Sequence, residues 1–101
     1  MVCNVLKYNI IDDEIEAVIA YYESLSINLG IRAENEMLSS LLHLKNHAPN
    51  YLLLSDNMHR RIPVKSFPYM FVYSIEDDIV IVKMLFPQND DPAKLWERLI
   101  S

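Results

Sequence analysis

Residues 59–92 read HRRIPVKSFPYMFVYSIEDDIVIVKMLFPQNDDP, and the alternation inside this stretch decides the fold. Tyr69 to Ile75 is aromatic and β-branched, with side chains offset in the alternating sense of a strand. Ile79 to Phe86 is a nearly unbroken apolar run, broken by Lys83, which suits a central strand covered on both faces. Glu76-Asp77-Asp78 between them is a short acidic connection of hairpin length. Upstream, Arg60 to Lys65 alternates charge with Ile62 and Val64, and Pro63 assigns this piece to a sheet edge or a strand end. Successive strands with short links make an antiparallel meander, on which the remaining elements must pack.

Towards the N-terminus, Val2 to Ile10 alternates loosely and reads as a first strand, with Asp12 or Asp13 placed to cap a helix. Ile11, Ile15, Val18, Ile19, Tyr22 and Leu25 then recur at helical spacing, while Asp13, Glu14 and Glu16 favour the positive end of the helix dipole. Asn28-Leu29-Gly30 holds the single glycine and is expected to end this helix. A second helix is expected from about Arg32 to His47, with Ala33, Met37, Leu41, Leu44 and Ala48 along one stripe and Leu38 and Leu42 widening it. Ala48-Pro49-Asn50 stops it. The two helices form an αα-hairpin whose apolar faces need the sheet as a lid. Tyr51 to Leu54 is a short extended piece leading into a Ser55-Asp56-Asn57 turn. At the far end Asp90 or Asp91 caps a short helix with Pro92 at its first position and Leu95, Trp96, Leu99 and Ile100 on its apolar side.

The 101 residues suit one domain, 1–101, with one core, of class α+β: two layers in the order β-α-α-β(3-4)-α. The single Cys3 cannot form an internal disulfide, and no apolar run approaches a membrane span, so we expect a soluble cytoplasmic chain with no membrane partner. A net charge of −5 counts against direct nucleic-acid binding. That charge is uneven: acids dominate residues 1–50, whereas His59, Arg60, Arg61 and Lys65 lie in a stretch, 59–74, without any acid.

Most chemical constellations fail. His43 and His47 have the i, i+4 spacing of a metal pair, but no third ligand is evident, so neither metal nor cofactor is expected. Acid pairs such as Asp12/Asp13 and Glu34/Glu36 diverge on a helix, and there is neither a glycine-rich phosphate loop nor a serine nucleophile motif. What remains is the sheet. Arg60, Arg61, Lys65, Tyr69, Tyr73 and Lys83 come from neighbouring strands and offer cations interleaved with aromatics, a pattern suited to a partner surface. The competing reading makes both tyrosines core residues and the cations solubilisers of a sheet edge.

AVIAYYESLSINLG, RRIPVKSFPYMFVYSIEDDIVIVKMLF and DDPAKLWERL, taken in that order over almost the whole chain, resemble the RelE/ParE superfamily of bacterial toxins from type II toxin–antitoxin systems, and the ParE-like branch more closely. The resemblance implies an antiparallel sheet with the first strand beside the last, backed by the helix pair. It implies a cognate antitoxin as partner, in a toxin–antitoxin hetero-oligomer or a homodimer, and a protein target such as DNA gyrase. Arg60, Arg61, Lys65 and the helix carrying Trp96 and Arg98 would then form the contact surface. The RelE-like alternative is a ribosome-dependent mRNA endoribonuclease, for which His59, Arg61 and Lys65 are the catalytic candidates. Met70 stands where that branch carries an arginine, and Gln88 or Asn89 where it carries another. Positive charge is needed there to stabilise the transition state, so binding without chemistry is the favoured reading. A third reading is a degenerate, non-toxic module that keeps its grip on an antitoxin. Phe86-Pro87-Gln88-Asn89-Asp90 replaces the basic strand ending usual in the ParE-like branch.

Overall fold

In the computed structural model, which describes residues 3–100, the meander forms as read and the helices close over it. Val2, which we place in the first strand, lies outside the described residues. The elements run β1 (Asn4–Lys7), α1 (Ile10–Leu25), α2 (Ile27–His47), a 3₁₀ turn (Ala48–Asn50), β2 (His59–Pro63), β3 (Tyr69–Glu76), β4 (Ile79–Pro87) and α3 (Pro92–Ile100). The sheet order is β1-β4-β3-β2. β2, the strand holding Pro63, is an edge, and β3 and β4 are central. Asp77-Asp78 makes the hairpin turn, with Asp77 in the left-handed region (φ 56°), where a short polar side chain is tolerated.

The sheet is mixed, whereas the resemblance implied an antiparallel one: β1 does lie beside the last strand, but parallel to it, with Asn4 opposite Ile79 and Lys7 opposite Val82. Hairpin connections force antiparallel pairing only within the meander. β1 reaches β4 across two helices and two strands, a connection long enough to permit the parallel sense.

One irregularity sets which residues face where. Between Val72 and Tyr73 the β3–β4 register shifts, because Tyr73 pairs with Val82 and Val72 with Met84, leaving Lys83 as the extra residue of a bulge. Val80 and Val82 therefore face the helices, Leu85 joins them after the bulge, and Met84 and Phe86 point to the other face. The helix-side core unites Ile11, Ile15, Ala33, Met37, Leu44, Phe71 and Tyr73 with those strand residues. Each large side chain fully buried there contributes about 1.5–3 kcal/mol. On the opposite face α3 lays Leu95, Trp96 and Leu99 over Met70, Val72, Met84 and Phe86. The expected two layers thus gain a partial third, which explains why β4 is apolar on both sides.

The helix pair departs from expectation at its junction. Gly30 does not end α1. The link is the single residue Ser26, in extended backbone, and Gly30 lies within the first turns of α2. A Cβ there would stand 2.6 Å from Glu23 Cγ and 3.2 Å from Glu23 Cα, so the missing side chain is what lets the helices approach. Asp12 and Asp13 occupy the first turn of α1 without capping it, since Asn9 is the residue before the helix and makes no side-chain cap. The apolar stripes are also narrower than read. Leu25, Leu38 and Leu42 are exposed, and Ile100 on α3 is 85% exposed. α3 begins as expected, with Asp91 Oδ1 accepting the Ala93 N–H at 3.0 Å and Pro92 at the first position.

Candidate functional site

The cations expected to share one surface do not. Adjacent strand residues point to opposite faces, and β2 obeys this rule: Ile62 is buried in the helix-side core, so Arg60 shares that side and His59 and Arg61 take the other. Arg60 Nη1 donates to the Tyr51 carbonyl at 2.7 Å, which binds it to the segment before β2. Arg61 Nη1 lies 3.8 Å from Met70 Sδ, beside Leu52 and Gln88. Lys65, beyond the end of β2, lines a shallow groove on the helix side with Glu36, Ser39 and His43. Arg60 and Arg61 are neighbours in sequence, but the two-residue period of a strand separates them on the surface.

Of the tyrosines, Tyr73 is a correction to the proposed contact surface. It is fully buried, its hydroxyl donates to the Ala48 carbonyl at 2.6 Å, and burial pushes the phenol well above its ordinary value. It fastens the end of α2 to the sheet and has no atom left to offer a partner. Tyr69 packs against the same core, half-buried, and its ring also borders the cleft between α1 and α3. Trp96 is half-buried against the outer face. Arg98 pairs with Glu14 at 2.6 Å.

Two of the expected residues, His59 and Lys83, do come together, and a third that the sequence reading treated as a turn residue joins them. Lys83 Nζ lies 3.0 Å from His59 Nε2, and His59 Nδ1 lies 2.6 Å from Asp56 Oδ2. An ammonium can only donate, so Nε2 accepts and Nδ1 carries the proton given to Asp56. The result is an Asp56–His59–Lys83 chain with the imidazole ring at its centre. It is well seated, because His59 is 4% exposed. Asp56 Oδ1 also accepts the backbone N–H groups of Met58 (3.0 Å) and His59 (2.9 Å). Partial burial would raise the Asp56 carboxyl, but the hydrogen bonds from the His59 ring and from both backbone groups outweigh it and hold it down at about 2. The bulge aims Lys83 into this chain. The signal for Asp56 in the sequence is its place three residues before His59, the spacing of an Asx-turn acceptor.

Chemically, this chain can hold Lys83 over the outer face as a fixed point charge. His59, the one ring among the ribonuclease candidates, has both nitrogens engaged, and Arg61 and Lys65 lie on opposite sides of β2. His59 and Arg61 share the outer face, but the ring is already held between Asp56 and Lys83. His43 and His47 stack at 4.2 Å between centroids, with Tyr51 edge-on to His43 at 5.8 Å.

No helix of the described residues is long and apolar enough to cross a membrane. No family model matches the chain, and no curated protein matches it in sequence. In three dimensions it superposes on a chain from the chromosomal ParDE TA (toxin–antitoxin) system of P. aeruginosa with a TM-score of 0.75, over 85% of this chain and 96% of that one. Identity is 9%, so the likeness is one of fold. The class is therefore the ParE-like α+β fold, an αα-hairpin on a mixed four-stranded sheet, reached by a sequence that shares few residues with the chain it overlays.

Proposed function

We propose that this chain is the toxin component of a type II toxin–antitoxin system, ParE-like, acting by binding a protein and silenced by a cognate antitoxin. The observation that carries the reading is the fold shared with a chain of the ParDE system over nearly its full length. The arrangement of the ribonuclease candidates favours binding over cleavage: His59 is sequestered, and Arg61 and Lys65 diverge. DNA gyrase is the target class this reading names, and Arg61, Lys83, Trp96 and Arg98 on or around the outer face are the residues it assigns to partner contact. Cytoplasmic action follows from the same reading.

Induced expression of the chain alone tests it. The expected outcome is growth arrest with a DNA-damage response, relieved by co-expressing the short gene next to it. Normal growth with folded, abundant chain overturns the toxin reading in favour of a module that only grips an antitoxin. Ribosome-associated cuts in messenger RNA without DNA damage overturn it in favour of the ribonuclease.

A further inference from the structure

Strand edges attract other strands, and this sheet treats its edges unequally. At β2 the preceding segment provides cover: Leu54 N–H donates to His59 O at 2.8 Å, Arg61 N–H donates to Leu52 O at 3.2 Å, and Leu53 bridges Arg60. On β4, β1 pairs as far as Val82, and beyond it Glu14 Oε1 accepts the Leu85 N–H at 3.2 Å. At β1 the cover stops short of the strand: the Cys3 N–H donates to the Lys45 carbonyl of α2 at 2.7 Å, and nothing among the described residues continues it along Val5 and Lys7. Asn4 N–H and Tyr8 N–H donate inward to Asp78 O and Val82 O, at 3.3 and 2.9 Å. In a parallel ladder the intervening residues, Val5 and Lys7, then turn their N–H and C=O groups away from β4. Among the described residues no backbone bond is made to these outward groups.

The side chains beside this edge have the chemistry of a docking strip. Leu6 and Tyr8, on the outer face, are 56% and 50% exposed, and Ile10 follows at 48%. Tyr8 and Ile10 lead into a cleft of about 190 Å³ walled by Met84 and Leu99 and carrying the cations Lys83 and Arg98. On the helix side Lys7 offers a third cation, bonded at 2.8 Å to Asp12 in an exposed pair of the kind that contributes little. Apolar patches left exposed beside unpaired strand groups mark strand-addition sites.

We propose that β1 is the docking edge for an extended segment of a partner protein, apolar and acidic in alternation, which adds as a fifth strand. Unpaired backbone selects a strand over a helix. Leu6 and Tyr8 take its apolar side chains on the outer face, and Lys7, on the helix side where the alternate residues of the added strand must point, selects carboxylates over cations. The proposal stands on the geometry of β1 and does not depend on the toxin reading.

Amide hydrogen exchange on the full chain tests it, with a synthetic octapeptide of alternating valine and glutamate as the probe. Saturating peptide should slow exchange at Val5 and Lys7 at least tenfold and leave β2 unchanged, while a valine–lysine octapeptide should have no effect. Leu6→Glu should weaken the acidic peptide at least tenfold with far-ultraviolet circular dichroism intact. If that variant unfolds, Lys7→Gln should weaken it severalfold. Unchanged exchange at Val5 and Lys7 under millimolar peptide overturns the proposal, as does equal protection by the basic peptide. So does a free chain that sediments as a dimer with those amides already protected.

Discussion

The two faces of the sheet are finished differently. The helix-side face is one continuous apolar core, and the buried Tyr73 hydroxyl within it is answered by a backbone carbonyl. The outer face is divided: α3 covers Met70, Val72, Met84 and Phe86, and the rest carries Ser74, His59 and Lys83 with Asp56 at the rim. Buried polar groups cost stability unless fully paired, so a chain of them on one face alone is a local concession to something other than packing. The contrast teaches that the helix-side face specifies the fold, whereas the outer face and its flanks are where recognition can reside.

Truncation should break the symmetry most visibly. Phe71→Ala, in the sealed face, should lower unfolding free energy by about 3–5 kcal/mol in urea titration, and Trp96→Ala, half-buried between α3 and the outer face, by about 1–2 kcal/mol. Equal losses would mean that α3 is as integral as the hairpin. Next in size is the grip of the helix layer itself: Gly30→Ala should cost about 1–3 kcal/mol, because the methyl group must push α1 and α2 apart despite its better helix propensity. A neutral or stabilising result would show that the helix layer can yield. Tyr73→Phe should cost about 1–1.5 kcal/mol by leaving the Ala48 carbonyl unanswered.

Acid sharpens the comparison from the other side. The Asp56 carboxyl lies at about 2 in the folded chain against 3.8 ordinarily, a depressed value, so its contribution is fully present above about pH 4 and drains away as pH falls towards 2. Because this carboxylate sits at the rim and solvent screens it, Asp56→Asn should cost on the order of 1 kcal/mol at neutral pH. The two stability curves should converge as acid is added, and parallel curves would show that the chain is not anchored there. Smallest is the effect of Arg61→Glu, within about 0.5 kcal/mol of wild type, since that side chain is half-exposed and has no carboxylate partner among the described residues. Arg60→Glu should cost more, about 1 kcal/mol, through its bond to Tyr51.

The architecture was legible because strand alternation and helical spacing are local signals. The β3–β4 hairpin, Pro63 at an edge and Asp91 with Pro92 at the start of α3 all follow from neighbours in the chain. Gly30 misled because a glycine near a helix end has two physical uses, a left-handed turn or a close crossing. Only the distant approach of Glu23 selects the second. The candidate surface was less legible. Arg60 and Arg61 look like one patch in print, and the pleat sends them apart. The parallel sense of β1 and the extra residue at Lys83 are properties of pairing between segments far apart in sequence, so no window of residues announces them. Tyr73 shows the same limit, because an aromatic with a hydroxyl reads alike as core or as contact until the Ala48 carbonyl is seen above it.

Glu14 has a consequence for how the chain comes undone. One oxygen receives the Leu85 amide of β4 and the other receives Arg98 of α3, so a residue of α1 ties the C-terminal helix to the middle of the sheet. A helix of nine residues would ordinarily fray in isolation. Here its loosening removes a counter-charge from the carboxylate that shelters a strand amide, so detachment of α3 becomes readable at a single proton many residues upstream.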